Sequence, residues 1–321
     1  MEIWKAVWDL ISIIVYVTLS TFFLIFLLLL IARIVKFNKL KFKKDVVVKS
    51  ELIKKKMFKT SDGYELRWYG EINPNSEFII IGIHDIYRNR KDFDNFDSWL
   101  RKIKKDQFSL VSFDQRNCGE NIVEKQYHFG TTISDLKEII EVISENNPNS
   151  KIILLGDGFG STIASFFSKD EKVYKIIYSS LRLNNAYKKT LGFYIKLWWG
   201  TLFKADLKLK SIINGLDFTD DKNYAKKIED ENLTKNLFTV RDYYLWKKAN
   251  KISIKNFNKS IIENIILLSN NDFYCDPKKI VKFISNLNKD KYKLETIKGK
   301  KHYLLNTKNS EEIFKIIIEN I

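Results

Sequence analysis

The sequence predicts an α/β protein with a mostly parallel sheet, a helical insertion late in the chain and a membrane-spanning helix in front. Three observations carry this. Residues 10–32, "LISIIVYVTLSTFFLIFLLLLIA", hold no charge. From residue 57 onward, short β-branched or aromatic runs take turns with segments of helical spacing. Between residues 181 and 257 that rhythm stops and only helical stretches remain.

The apolar run, as a helix rising about 1.5 Å per residue, is long enough to cross a hydrocarbon core of about 30 Å. Glu2 and Asp9 precede it and no small-residue cleavage site follows, so it reads as an anchor and not as a cleaved leader. Arg33, Lys36, Lys39, Lys41, Lys43, Lys44, Lys54, Lys55 and Lys56 crowd its far side. The positive-inside rule then places that flank and the domain behind it in the cytoplasm. The same basic run suits anionic headgroups as well as it suits a plain stop-transfer flank. The expected division is an anchor at 1–35, a basic linker at 36–56, a core at 57–180 and 258–321, and a helical cap at 181–257.

In the core, "MFKTSDGYELRWYGEI" reads as two strands turning at Ser61-Asp62-Gly63. Strands are then expected at 78–84, 108–114, 151–157, 174–180, 264–272 and 292–299, with continuous apolar runs as befits a sheet covered on both faces. Helices are expected at 93–104, 131–146, 160–168, 277–286 and 310–320. Strand and helix in alternation give a parallel sheet wrapped by helices. An insertion as long as 181–257 is expected to cover the carboxyl edge of that sheet, where open α/β folds bind ligands. Phe193, Tyr194, Trp198 and Trp199 suit either simple packing or an apolar entrance for an acyl chain.

Composition excludes several functions. The chain has 321 residues, a net charge of +16 and two cysteines, Cys118 and Cys275, without metal-ligand spacing. The positive charge follows from lysine abundance throughout, and no basic helix stripe, RNP-like motif or zinc finger accompanies it, so no nucleic-acid partner is expected.

Chemistry is expected at the carboxyl ends of the strands. "KIILLGDGFGSTIASFF" (151–167) runs a strand through a glycine turn into a small-residue helix, an arrangement that presents a nucleophile at the turn. Asp272, in "LLSNNDFYCDP", and His302, in "IKGKKHYLL", each follow a late strand. Nucleophile, acid, base is the chain order of one form of the Ser-His-Asp relay. Yet the middle of the turn is Gly158. Ser161 lies one helical turn too far along, and Asp157 faces away from the pocket, so neither replaces the missing hydroxyl. His84 is expected to pack beneath the neighbouring loop, and His128 has no assigned role.

With these residues in view, the chain over 57–321 resembles the α/β-hydrolase superfamily, in particular the monoacylglycerol lipase, lysophospholipase and serine aminopeptidase group. "SDG", "IGIHD", "FDQRNCGEN", "LLGDGFGS", "NNDFYCDP" and "KGKKHYLLN" fall in the family's order, and "GLDFTDDKNYAKKIEDENLTKNLFTVRDYY" is similar to its stretch leading back to the core. The resemblance implies Asp272 as the orienting acid, His302 as the base, Gly158 at the nucleophile position, and oxyanion donors in the backbone N–H groups of Ile86 and Phe159. Asp85 stands where the family has a glycine, and a carboxylate pointing inward there would oppose a developing oxyanion. The implied activity is ester hydrolysis on lipid-like acyl substrates, with no metal or organic cofactor, weak or absent here because Gly158 has no side chain. Two other readings share the fold: a pseudoenzyme that binds a lipid or protein partner, and an aminopeptidase-like peptidase.

Overall fold

The computed structural model describes residues 2–37, 39–42, 46–53, 56–86, 88–103, 105–121, 129–183, 189–210, 214–229, 237–288 and 290–321. His128 and the basic residues Lys43, Lys44, Lys54 and Lys55 lie outside them, as does part of the stretch leading back to the core.

In chain order the strands are β1 (Glu51–Ile53), β2 (Met57–Lys59), β3 (Glu65–Tyr69), β4 (Phe78–Ile83), β5 (Phe108–Phe113), β6 (Lys151–Asp157), β7 (Val173–Ser179), β8 (Lys208–Lys210), β9 (Leu237–Thr239), β10 (Glu263–Ser269) and β11 (Tyr292–Ile297). The α-helices are α1 (Glu2–Phe37), α2 (Asp94–Lys102), α3 (Phe129–Asn146), α4 (Phe159–Ala164), α5 (Leu191–Leu202), α6 (Gly215–Phe218), α7 (Lys222–Glu229), α8 (Val240–Phe257), α9 (Pro277–Ile284) and α10 (Glu311–Glu319).

Nine strands form one sheet in the order β1-β2-β3-β5-β4-β6-β7-β10-β11. The first three and the β3–β5 junction are antiparallel, and every pairing beyond that is parallel. Strands β4 and β5 are buried at every position, because helices cover both faces. One face packs on α3, α4, α8 and α9, with Ile139, Ile163, Tyr178 and Phe257 at its centre. The other packs on α2 and α10 through Phe96, Trp99 and Phe314, the Phe96 and Phe314 rings stacking at 4.8 Å.

Two expectations need correction. The segment 36–56 is not linker throughout, because β1 lies in it and extends the sheet by pairing with β2. The segment 181–257 is not wholly helical, because β8 and β9 pair antiparallel there and tie the insertion together. Three-residue strands are too short for periodicity to reveal.

Helix α1 is long and apolar enough to cross a membrane, with mean hydropathy 2.8 and no burial over an 18-residue stretch. It touches the insertion at two levels. Phe26 lies on Trp198 of α5, and Phe37 on Tyr244 of α8. Of the two readings open for the four aromatics, an apolar entrance finds no support in their placement. Only Phe193 turns inward, against Phe238 and Tyr243, while Tyr194, Trp198 and Trp199 lie on the outer side of α5.

Candidate active site

Parallel pairing of β4, β6, β7, β10 and β11 brings their carboxyl ends to one edge of the sheet, so the loops that follow them converge. Asp85 comes after β4, Gly158 after β6, Arg182 after β7, Asp272 after β10 and His302 after β11.

The turn at Gly158 keeps the form of a nucleophile elbow. Its φ of +55° and ψ of −117° lie where a residue with a Cβ is strained by roughly 1–3 kcal/mol, and glycine is not. Gly156 and Gly160 make the tight passage possible. A Cβ at 160 would fall 1.9 Å from the Ile83 carbonyl oxygen, and one at 156 would meet the backbone of Ser161 at 2.5 Å. The rest of the elbow is satisfied internally. The single proton of Ser161 Oγ is shared between the carbonyls of Gly156 (2.8 Å) and Ser179 (2.9 Å), and Asp157 Oδ1 accepts from Ser179 Oγ at 2.8 Å.

Asp272 and His302 meet. Their Oδ2 and Nδ1 atoms are 2.7 Å apart, with both side chains buried. The other carboxylate oxygen of Asp272 accepts from the N–H groups of Tyr274 and Cys275, which fixes its orientation, while Asp276 caps α9. Burial opposes a charge on either partner, but their attraction outweighs it. Asp272 is held below the usual carboxylate range, and His302 is held well above the usual imidazole value. His302 Nε2 is buried without a hydrogen-bond partner among the described residues. Rings of Phe218, Tyr274 and Tyr303 surround the imidazole at 5.8, 5.3 and 5.1 Å.

The two N–H groups that the resemblance assigns to an oxyanion are occupied by the protein itself. Asp85 turns inward, and its Oδ1 accepts from the N–H groups of both Ile86 and Phe159 at 2.8 Å. Arg182 Nη1 reaches Oδ1 at 3.1 Å and Oδ2 at 3.2 Å, and Tyr303 donates its hydroxyl to Oδ2 at 3.0 Å. The guanidinium also donates to the Tyr274 hydroxyl and lies over that ring at 4.3 Å. Asp85 is 1 % exposed and His302 0 %, so the cluster is sealed. Burial alone would raise the Asp85 pKa, but Arg182, His302 and the two amides bring it below the ordinary value. Asp85 also blocks the elbow, because a Cβ on Gly158 would stand 2.5 Å from its Cγ and 2.6 Å from Oδ2.

Arg182, Tyr274 and Tyr303 escape a reading of motifs. An arginine soon after an apolar strand, in "YSSLRL", three residues beyond the end of β7, is the available signal: an unaccompanied charge at the ligand-binding edge requires a buried counter-ion. His84 behaves as expected. Its Nε2 accepts the Gln115 N–H at 3.0 Å, so the proton is on Nδ1, which donates to the Asp85 carbonyl at 2.6 Å, and burial lowers its pKa.

Asp272, Cys275 and His302 offer three donor atoms within 4.8 Å of one another, the one such group among the described residues. It fits a metal poorly. Burial pushes the Cys275 thiol up, away from the thiolate a metal requires, and both oxygens of Asp272 are already engaged, by His302 Nδ1 and by the Tyr274 and Cys275 N–H groups.

Asp157 yields a test of its own. Burial raises its pKa to about 7, against the Ser179 hydrogen bond, and Oδ2 has no partner among the described residues. A carboxyl whose pKa is raised on folding loses stability as pH climbs from about 4 to 7, where the unfolded chain has ionised and the folded one has not. Asp157→Asn removes that penalty. It is expected to be more stable than the parent at pH 8 by on the order of 1–3 kcal/mol, with the difference vanishing near pH 4 in denaturant titrations.

The fold and this site define an α/β hydrolase. The sequence profile of the serine aminopeptidase S33 family matches residues 90–309, and the chain belongs to that family. Among solved structures it is similar to a monoacylglycerol lipase from Paleococcus ferrophilus, with TM-score 0.66 and 15 % identity over 80 % of this chain and 98 % of the other. It is similar too to a soluble variant of Saccharomyces cerevisiae monoglyceride lipase bound to a substrate analogue, with TM-score 0.67 and 16 % identity over 87 % and 95 %. A Clostridium acetobutylicum lipase-esterase related protein matches at TM-score 0.58 and 18 % identity over 80 % and 99 %. At these identities the likeness is one of fold. No curated protein matches in sequence.

Proposed function

We propose that this lipase/esterase-type α/β hydrolase is a membrane-anchored, non-hydrolytic member of its family, a pseudoenzyme whose catalytic centre has become a structural ion-pair cluster. The observation that carries the proposal is the Asp85 carboxylate seated on both N–H groups that would stabilise an oxyanion. Acyl transfer by the relay needs a hydroxyl, a base able to take its proton, and vacant oxyanion donors. Here the hydroxyl is missing at Gly158 and the donors are taken, while pairing with Asp272 raises the pKa of the imidazole. The esters of lipid-like acyl groups that the family resemblance implies would have to displace the buried Asp85–Arg182 pair from those N–H groups. The hydrophobic helix α1 and the basic residues after it support a single-pass anchor with the domain facing the cytoplasm.

Purified full-length protein, incubated with short- and long-chain acyl esters and with a fluorophosphonate, is expected to show no turnover above a His302→Ala control and no covalent label. Turnover that the His302→Ala change abolishes would overturn the proposal.

The charge on His302 is testable separately. In its pairing with Asp272, the stabilisation is fully present below an unfolded-state pKa of about 6.5 and is lost only as pH rises through the higher folded value. NMR of the imidazole nitrogens is expected to show an imidazolium at pH 7.5, and Asp272→Asn is expected to leave the ring neutral at that pH. A neutral ring in the parent protein at pH 7.5 would show that burial outweighs the pairing with Asp272.

A further inference from the structure

Helix α5 has no polar face. Its inner side, Phe193, Leu197, Gly200 and Thr201, packs on the β8–β9 pair and on α8, with Thr201 Oγ1 bonded to the Leu197 carbonyl at 2.6 Å and set 3.1 Å from the Tyr244 hydroxyl. Its outer side carries Leu191, Tyr194, Ile195, Trp198 and Trp199, with Phe203 just beyond the end, all exposed; Leu191 is 76 % exposed and Ile195 58 %. The helix holds no acidic residue, and Lys196, its one basic residue, is exposed on a stem long enough to reach an aqueous boundary. A helix that is apolar all round belongs in a protein core or in lipid. This one has protein on its inner side alone.

What covers the other side follows from α1. Trp198 lies against Phe26, ring centroids 6.2 Å apart. Phe26 is seven residues before Arg33, the first charge after the apolar run, which puts it about 10 Å inside that end of a hydrocarbon core of about 30 Å. The exposed face of α5 is thus continuous with the lipid-facing surface of α1 at a depth no headgroup reaches. Phe37 on Tyr244 joins α1 at the boundary to α8, the helix on which α5 packs through Thr201.

We infer that α5 is a second membrane element, embedded in the leaflet on the domain's side and packed laterally on the chain's own transmembrane helix. It rests on the reading of α1 as an anchor. In place of a mobile flap over a pocket, the insertion then acts as a fixed foot that holds the hydrolase domain close against the bilayer.

The test uses the full chain in phosphatidylcholine vesicles with a polarity-sensitive fluorophore at single introduced cysteines; both native cysteines are buried. Ile195→Cys reports on α5, Phe22→Cys on the middle of α1 and Lys226→Cys on the exposed side of α7. Lipids bearing a nitroxide midway along the acyl chain are expected to quench positions 22 and 195 at least twofold and to leave 226 unchanged, with aqueous iodide showing the reverse. Quenching at 22 but iodide access at 195 would overturn the α5 proposal and leave the anchor standing. Shielding of 195 from both quenchers, with cross-linking to a second copy, would overturn it in favour of a protein interface. Absence of lipid quenching at 22 would remove the anchor and this inference with it.

Discussion

Gly158→Ser alone is expected to yield no ester hydrolysis and no fluorophosphonate adduct, although it restores the residue the relay lacks. The new Cβ would meet Asp85 Cγ at 2.5 Å, and the backbone at φ +55° adds strain of about 1–3 kcal/mol. The variant either displaces Asp85 into a packed site or folds poorly. Combining Gly158→Ser with Asp85→Gly and Arg182→Leu removes the clash, frees the N–H groups of Ile86 and Phe159, and leaves no unpaired guanidinium. Loss of the nucleophile from such a relay typically costs on the order of 10⁶ in kcat. A pocket shaped for ion pairs will recover only part of it, so the triple variant is expected to hydrolyse a short-chain ester with kcat/KM about 10³-fold above the background rate at which Gly158→Ser remains. Activity of Gly158→Ser equal to that of the triple variant would show that Asp85 is no obstacle.

Asp85→Ala is expected to destabilise the protein by about 3–5 kcal/mol, because it leaves Arg182 charged, buried and unpaired beside two amides that lose their acceptor. Asp85→Ala with Arg182→Leu should cost distinctly less than Asp85→Ala alone, since removing both charges abolishes the desolvation penalty together with the attraction. Denaturant titrations of the four proteins close the cycle. Asp85 ionises below the usual range, so its contribution holds at neutral pH and fades only as pH falls through that lowered value. Additive effects of the two changes would mean that Asp85 and Arg182 act independently.

The sheet was readable because buried parallel strands announce themselves as uninterrupted runs, such as "FIIIGI" and "FSLVSF", and because glycine marks the elbow. Asp272 and His302 were readable from their places past late strands. Three things were not. β8 and β9 are held by pairing across residues far apart in sequence, which no local pattern records. The direction of the Asp85 side chain depends on Arg182, 97 positions away, and on Tyr303 from the far end of the chain. The outward position of Trp198 depends on Phe26 in another helix. In each case the deciding interaction is tertiary, while the residue type alone was compatible with either outcome.

The most direct measurement is a high-resolution crystal structure of the purified full-length protein soaked with a long-chain acyl phosphonate. The Asp85 carboxylate is expected on the Ile86 and Phe159 N–H groups, bridged to Arg182, with no phosphonate density over Gly158. Asp85 rotated outward, with the phosphonate oxygen in its place between those two amides, would contradict the account.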